Sequence, residues 1–379
     1  MRYLSASIIF PISSPPINNG IIVVDDNGTI LDVLDSRNSI EDKIEEFDGI
    51  LCPGFVNTHC HLELSHMKGR INTHSGLTGF ISEIISKRNE SPDIIFKKAK
   101  DADDEMYANG IVAVGDISNS DVTIEIKKNS KIQYHTFIEL FDLLPERAQT
   151  VFDDGLLLLN KFTAAGLSSS LSPHAPYTVS GKLMRLIADY SIEHGGLLTI
   201  HNQETESENE MFEKSTGALF ENLKRMLPAF AGWNSTHKSS LEFILELLPK
   251  GLPLQLVHNI FTRKSDLPES TRNLFFCLCV RANEFIENSI PDIDMLLKSN
   301  FKITIGTDSY ASNYSLSILE ELKIIKQKFS ISNDELLKCA TLNGAEFLGI
   351  TDMFGSFEKG KIPGVVLIDH EMKNAKRII

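Results

Sequence analysis

One pattern limits what this chain can fold into: apolar, strand-forming runs that stop at a polar or small residue alternate with amphipathic segments of helical period. The runs stop near His59, Gly115, Glu139, Ser172, His201, His258, Cys279 and Asp308. Strands that alternate with helices pair in parallel, because each helical crossover returns the chain to the same end of the sheet. The 249 positions from His59 to Asp308 divide into seven units of roughly 36 residues, a normal size for an eight-stranded barrel. Equal spacing puts the fifth terminus near residue 201 and the sixth near 237, well short of His258, so an insertion is expected between Glu204 and Leu241. Ser317-Ile318-Leu319-Glu320 and Ser332-Asn333-Asp334-Glu335 have the spacing of capping boxes and mark two helix starts.

The two ends of the chain read differently. Gly20 to Val24, a turn at Asp26-Asn27-Gly28, and Thr29 to Leu34 make a hairpin signal in which Asn-Gly supplies positive φ. A hairpin needs further strands to be stable in water. Val365-Val366-Leu367-Ile368, after Gly360-Lys361-Ile362-Pro363-Gly364, is again strand-like. The expected fold is therefore α/β: a (β/α)8 barrel over residues 53–353 and a small β-sheet domain built from 1–52 and 354–379.

Composition narrows the partners. A net charge of −14 opposes binding to phosphate backbones or anionic lipid, which call for clustered Lys and Arg. Neither a nucleic acid nor a membrane is expected, and a small-molecule substrate is. No run approaches the roughly 18 apolar residues of a membrane span, and the apolar stretch before Pro11 is too short for a secretory signal. The 5 cysteines are scattered. Cys277 and Cys279 lack a second pair to complete a zinc ribbon, so a reducing cytoplasm is the expected location. A homodimer stays open as the oligomeric state.

The strand termini carry the chemistry. Pro53-Gly54-Phe55-Val56-Asn57-Thr58-His59-Cys60-His61 is an apolar strand running into His-x-His, and alternation along a strand points both imidazoles to one side. By itself His-x-His fits a structural role as well as a metal site. Leu197 to His201 repeats the design, with Glu204 three residues later; Leu254 to His258 and Phe301 to Asp308 do the same for a histidine and an aspartate. Any one polar terminus fits a satisfied hydrogen bond or a helix cap. Four together fit an active site, because sites of this barrel draw residues from several strand ends at one face. Imidazoles and a carboxylate suit Zn²⁺, with Fe²⁺ and Mn²⁺ as alternatives.

Three segments carry a resemblance. Pro53 to Ser65 is similar to the first-strand signature of the amidohydrolase superfamily, in its nucleobase-deaminase and chlorohydrolase branch. Ser172-Pro173-His174-Ala175-Pro176-Tyr177-Thr178-Val179-Ser180 resembles the loop after strand 4, and Gly306-Thr307-Asp308-Ser309 with Ser312-Asn313 resembles strand 8. Within that branch the extension Leu62-Glu63-Leu64-Ser65 is similar to aminodeoxyfutalosine deaminase-like proteins.

The resemblance implies that His59, His61, His201 and Asp308 ligate a metal, that Glu204 shuttles protons to a substrate ring, and that His258 sits beside the attacked carbon. His174 is implied to hydrogen-bond substrate, with Glu63 and Arg281 as further substrate contacts. Binuclear members carry a bridging lysine on strand 4, and Leu167 to Pro173 has none, so one divalent ion per chain is expected. Strand 7 departs from the usual Cys-Pro-x-Ser-Asn, reading Cys279-Val280-Arg281-Ala282-Asn283. His66, Lys68 and Glu139 are open between substrate contact and support.

The implied activity is hydrolytic deamination of an aminated purine or related nucleoside by metal-activated water. The alternatives are a chlorohydrolase or other cyclic amidine or amide hydrolase, and a retired barrel acting as a binding scaffold. Retention of all four ligands with Glu204 speaks against retirement.

Overall fold

The computed structural model describes residues 1–35, 43–269 and 273–379. Eight parallel strands form the barrel wall: Phe55–Cys60, Ile111–Ser118, Gln133–Leu140, Ser168–Pro173, Leu198–Asn202, Leu254–His258, Leu274–Leu278 and Lys302–Ile305. The first four pair in order as one sheet and the last four as another. Two seams join them. Cys60 and Asp308 form a parallel bridge, and across the other seam the His201 N–H donates to the His174 carbonyl at 2.9 Å. The molecule is a (β/α)8 barrel, with every strand carrying its C-terminal end to the same face.

The barrel interior is filled by side chains, including a polar layer. Thr58 Oγ1 donates to Thr304 Oγ1 at 2.9 Å, and Gln255 Nε2 donates to Thr58 Oγ1 at 2.7 Å. All three are fully buried, so these bonds replace the water they lost. Asp116 and Lys127 form a buried ion pair at 2.6 Å. Asp116 Oδ1 also accepts the Leu62 N–H at 2.7 Å, which pins the chain immediately after His61.

Both chain ends meet in one seven-stranded sheet. Ile21–Val24 pairs antiparallel with Ile30–Leu34, as the hairpin signal predicts. Val365–Ile368 pairs antiparallel with Ile44–Pro53. The latter strand runs straight into the first barrel strand through Gly54, where an added Cβ would lie 2.2 Å from Val112 Cγ1 and 2.7 Å from the Pro363 carbonyl. Only glycine fits between sheet and barrel there.

Several local expectations need correction. Strand 8 stops at Ile305, three residues before Asp308, because the Thr307 and Asp308 N–H groups both turn to the His59 carbonyl, at 3.0 and 3.1 Å. Strand 2 runs on to Ser118, past Gly115. Ser317 precedes a helix without capping it through its side chain, and Ser332 caps Glu335 N. A full capping box forms at Ser239 with Glu242. The insertion after Glu204 is present as helices Glu206–Lys214 and Ala218–Met226 and a short 3₁₀ turn at Pro228–Gly232.

Candidate active site

Strand alternation and one tight approach assemble a cluster that could hold a metal ion. One ring nitrogen from each of His59, His61 and His201 lies within 4.8 Å of the others. His59 Nε2 and His61 Nε2 are 3.2 Å apart, and Asp308 Oδ1 lies 3.6 Å from the first and 3.4 Å from the second. Asp308 sits at φ 55°, and Ser312 donates to its other oxygen. Gly306 makes room for this: a Cβ there would meet His59 Cβ and Cys277 Sγ, each at 2.8 Å.

Hydrogen bonds set the tautomers. His201 Nδ1–H donates to the His174 carbonyl at 2.8 Å, which leaves its Nε2 lone pair for the cluster. Burial, opposed by Asp308, drops the His61 imidazole to about 3. Burial and the neighbouring imidazoles hold His201 far below its ordinary value. The His61 and His201 rings are therefore neutral at pH 7. For Asp308 burial works upward, but the His59 hydrogen bond and the facing imidazoles overcome it and hold the carboxylate well below the usual range. Ring nitrogens of His59, His61 and His201 converge within 4.8 Å of one another. With an ionised carboxylate beside them, they are a donor set that fits a divalent metal.

Next to the cluster stand the acid and base candidates. Glu204 and His258 approach at 3.6 Å, Oε1 to Nε2. Burial, with the Asp308 and Glu287 charges, pushes the Glu204 carboxyl far above its ordinary value. The Glu204 backbone is fixed from below, where Gln203 N and Glu204 N donate to the two Glu208 oxygens at 3.0 and 3.3 Å. His258 Nδ1–H donates to Asn283 Oδ1 at 2.7 Å, so its Nε2 faces Glu204. His174 Nδ1 meets Thr178 Oγ1 at 2.7 Å, and that hydroxyl donates to the Ala175 carbonyl. His174 Nδ1 is then the donor, and its Nε2 is an acceptor. Gln203, His258 and Asp308 have φ of 46°, 76° and 55°, a left-handed backbone that costs about 1–3 kcal/mol per residue and clusters at functional sites.

These groups open on one cavity of about 350 Å³, lined by His61, His174, His201, Glu204, His258 and Asp308 at its inner end. Its roof is helix Gly76–Lys87 on one side and the inserted helix Ala218–Met226 on the other. A cavity of this size suits a small molecule.

Not every expected contact reaches it. Arg281 is a correction: its guanidinium bonds Glu320 at 3.2 Å and Ser315 at 3.3 Å, and it does not line the cavity. It lies in the first turn of helix Val280–Glu287, where Asn283 is the residue turned toward His258. Glu63 also stops short of the wall, its carboxylate accepting from Ser120 Oγ at 2.7 Å and Asn119 N at 3.2 Å. Glu139 does line the cavity, 3.7 Å from His201 Nδ1, and burial lifts it to about 7. His66 bonds the Glu63 and Arg88 carbonyls, and Lys68 lies 3.9 Å over the Tyr310 ring, so both support loops. Asn283 stood within a motif weighed for its arginine. Arg88 and Asn119 carried no signal in the sequence, because helix and loop residues join a cavity only through tertiary packing.

Comparison with known proteins agrees with this geometry. The sequence model of the amidohydrolase family matches residues 50–378. An adenosine deaminase of Helicobacter pylori is 24% identical over 322 residues, 83% of this chain and 77% of that protein. The crystal structure of H. pylori aminofutalosine deaminase with methylthio-coformycin superposes with a TM-score of 0.84 at 20% identity, covering 100% of both chains. Atrazine chlorohydrolase from Arthrobacter aurescens, complexed with zinc, superposes with a TM-score of 0.76 at 17% identity, over 97% of this chain and 87% of that one. The two structures share the barrel, and the family match spans it from the strand before His59 to the last strand of the small sheet: this chain belongs to the amidohydrolase family.

Proposed function

We propose that this protein is a metal-dependent deaminase that releases ammonia from an aminated purine or related nucleoside. The observation that carries the reading is the pairing of Glu204 with His258 at 3.6 Å, beside a three-histidine, one-aspartate cluster that lines the same cavity. A divalent ion held by His59, His61, His201 and Asp308, with Zn²⁺ the best match to three nitrogens and one oxygen, supplies a water acidified toward neutral pH.

The side chains do the rest. Asp308, held ionised, accepts a proton as the ring carbon is attacked. Glu204, held protonated by burial, gives its proton to the adjacent ring nitrogen and takes up the next one for transfer to the departing amine. The carbon becomes tetrahedral, the bond to the amine breaks, and ammonia leaves. His258 Nε2 would orient the attacking oxygen, and His174 Nε2 would accept a hydrogen bond from the ring; both residues line the cavity. Names borne by relatives, adenosine deaminase among them, support the leaving group.

No described helix is long and apolar enough to cross a membrane. The five cysteines are all free and buried, which supports a reducing, cytoplasmic setting. The likeness to atrazine chlorohydrolase favours the second reading, in which the same site expels chloride. Ammonia and chloride release measured over adenosine, aminodeoxyfutalosine, guanine, cytosine, S-adenosylhomocysteine and a chlorinated triazine separates the two. Ammonia from a purine nucleoside supports the proposal, and chloride from the triazine alone overturns it.

A further inference from the structure

Outside the cavity one ion pair is completely buried. Lys127 Nζ, from helix Ile124–Lys128, stands 2.6 Å from Asp116 Oδ2 on strand 2, and both side chains are 0% exposed. The ammonium also donates to Ser118 Oγ at 3.1 Å and to Thr136 Oγ1 at 3.0 Å, so each of its protons has an acceptor. The Phe162 and Tyr134 rings lie 4.9 and 5.6 Å from the same nitrogen. Neither charge lines the cavity. A pair buried among apolar groups adds little to stability, because desolvation of both ions offsets their attraction and an apolar pair of like volume holds a fold as well or better.

What an apolar pair could not supply is an acceptor for one buried N–H. Strands 1 and 2 pair at Asn57 with Val114 and next at Cys60 with Asp116, three positions of strand 1 against two of strand 2, and His59 lies in that interval. Such a bulge re-aims side chains beside active sites, and it interrupts the ladder that would otherwise fix the strand end. Cys60, between the two histidines, is in register with Asp116 on one side and bridged to Asp308 on the other. Asp116 Oδ1 then accepts the Leu62 N–H at 2.7 Å. That N–H shares a peptide plane with the His61 carbonyl, so holding it fixes ψ of His61, at 80°, and with it the direction in which the imidazole leaves the backbone.

We propose that Asp116 and Lys127 are positioning residues for the metal site. Asp116 holds the His61–Leu62 peptide so that His61 Nε2 stays 3.2 Å from His59 Nε2 and 3.4 Å from Asp308 Oδ1, and Lys127 holds Asp116. This rests on the metal-site part of the deaminase reading and not on which substrate is used. Lys127 comes from the helix after strand 2 and Thr136 from strand 3, so the bonds tie the His61 peptide to two further elements of the barrel. The pair sets the placement of one ligand rather than the stability of the fold.

The test compares the full-length wild type with two double variants. Asp116→Leu with Lys127→Met makes the pair apolar and removes the acceptor, whereas Asp116→Asn with Lys127→Met removes both charges and keeps an oxygen for the Leu62 N–H. Zn²⁺ Kd is measured by competition with a chromophoric chelator, ligand geometry by the visible spectrum of Co²⁺ in the same site, and stability by Tm without metal. The apolar pair is expected to keep Tm close to wild type, to bind Zn²⁺ about 10- to 100-fold more weakly and to shift the Co²⁺ bands. The amide pair is expected to return Kd to within roughly threefold of wild type and to restore the spectrum. Unchanged Zn²⁺ affinity and Co²⁺ spectrum in the apolar pair overturn the proposal, as does an amide pair that binds Zn²⁺ as weakly as the apolar one. If the apolar pair does not fold, Thr136→Val decides, since it takes one acceptor from Lys127 with little change of shape: a Kd weaker by about threefold or more supports the proposal, and an unchanged Kd overturns it. A wild type that holds no Zn²⁺ strikes the metal reading and this proposal with it. Metal affinities that respond as expected in a protein that releases no ammonia strike only the deaminase reading.

Discussion

Replacing Glu204 with glutamine separates the proton shuttle from the metal site more cleanly than any other single change. The side chain is 4% exposed and outside the His59, His61, His201 and Asp308 cluster, so an amide of the same shape keeps the packing and removes no ligand. The amide can still donate to a ring nitrogen, but it cannot hand over a proton and regain it. The loss expected for a general acid and base is about 10²- to 10⁴-fold in kcat, with metal content per chain unchanged.

Stability moves the other way. The Glu204 carboxyl is raised well above its ordinary value of 4.5, by burial first and then by Asp308 and Glu287. The folded protein therefore holds a proton that the unfolded chain has released. That contribution is fully present below about pH 4.5 and is lost as pH rises toward the folded value. Glu204→Gln removes this pH dependence, so its Tm matches wild type in mild acid and equals or exceeds it at neutral pH. Ammonia-release kinetics, elemental analysis and a Tm series against pH make the assay. Near-full activity in the variant, or a metal content that falls with activity, would refute the assignment.

Three further outcomes follow from the geometry. Gly306→Ala drives a Cβ to 2.8 Å from His59 Cβ and Cys277 Sγ, so it destabilises by about 1–3 kcal/mol and weakens metal retention; denaturant unfolding and metal analysis check it, and a neutral result contradicts the crowding. Asn283→Leu frees the His258 Nδ1 proton from its 2.7 Å acceptor, so kcat falls about 10- to 100-fold with metal retained, whereas a change confined to KM would speak against a tautomer role. A stable hydrated-ring mimic of the true substrate binds about 10²-fold or more tighter than the substrate itself; equal inhibition and substrate constants contradict a tetrahedral carbon on the path.

What could be read from the sequence tracks what strand geometry alone determines. His59, His61, His201 and His258 end apolar runs of a single register, and period two together with the shared strand direction brings them to one face. Asp308 was legible as a terminus, but the left-handed turn that aims it depends on the His59 carbonyl 249 positions away, which no local pattern encodes. Arg281 illustrates the converse. A motif position suggested substrate contact, yet helix phase at Val280–Glu287 turned Asn283 inward and left the arginine to Glu320. Between Glu204 and Leu241 the spacing indicated extra chain, but not that one of its helices would face Gly76–Lys87 across the cavity, because that pairing rests on nonlocal apolar contacts such as those of Leu77, Phe212 and Leu219 in a second buried cluster.

The central claim is that one metal ion and Glu204 together make this cavity a deaminase. The most direct measurement strips the protein with a chelator, returns Zn²⁺ stepwise, and follows ammonia release from the nucleoside panel against bound metal. The account predicts no turnover in the stripped protein and activity that rises linearly to a plateau at about one ion per chain. Turnover that persists without metal, a plateau reached only at two ions, or no ammonia from any nucleoside at full loading would contradict it.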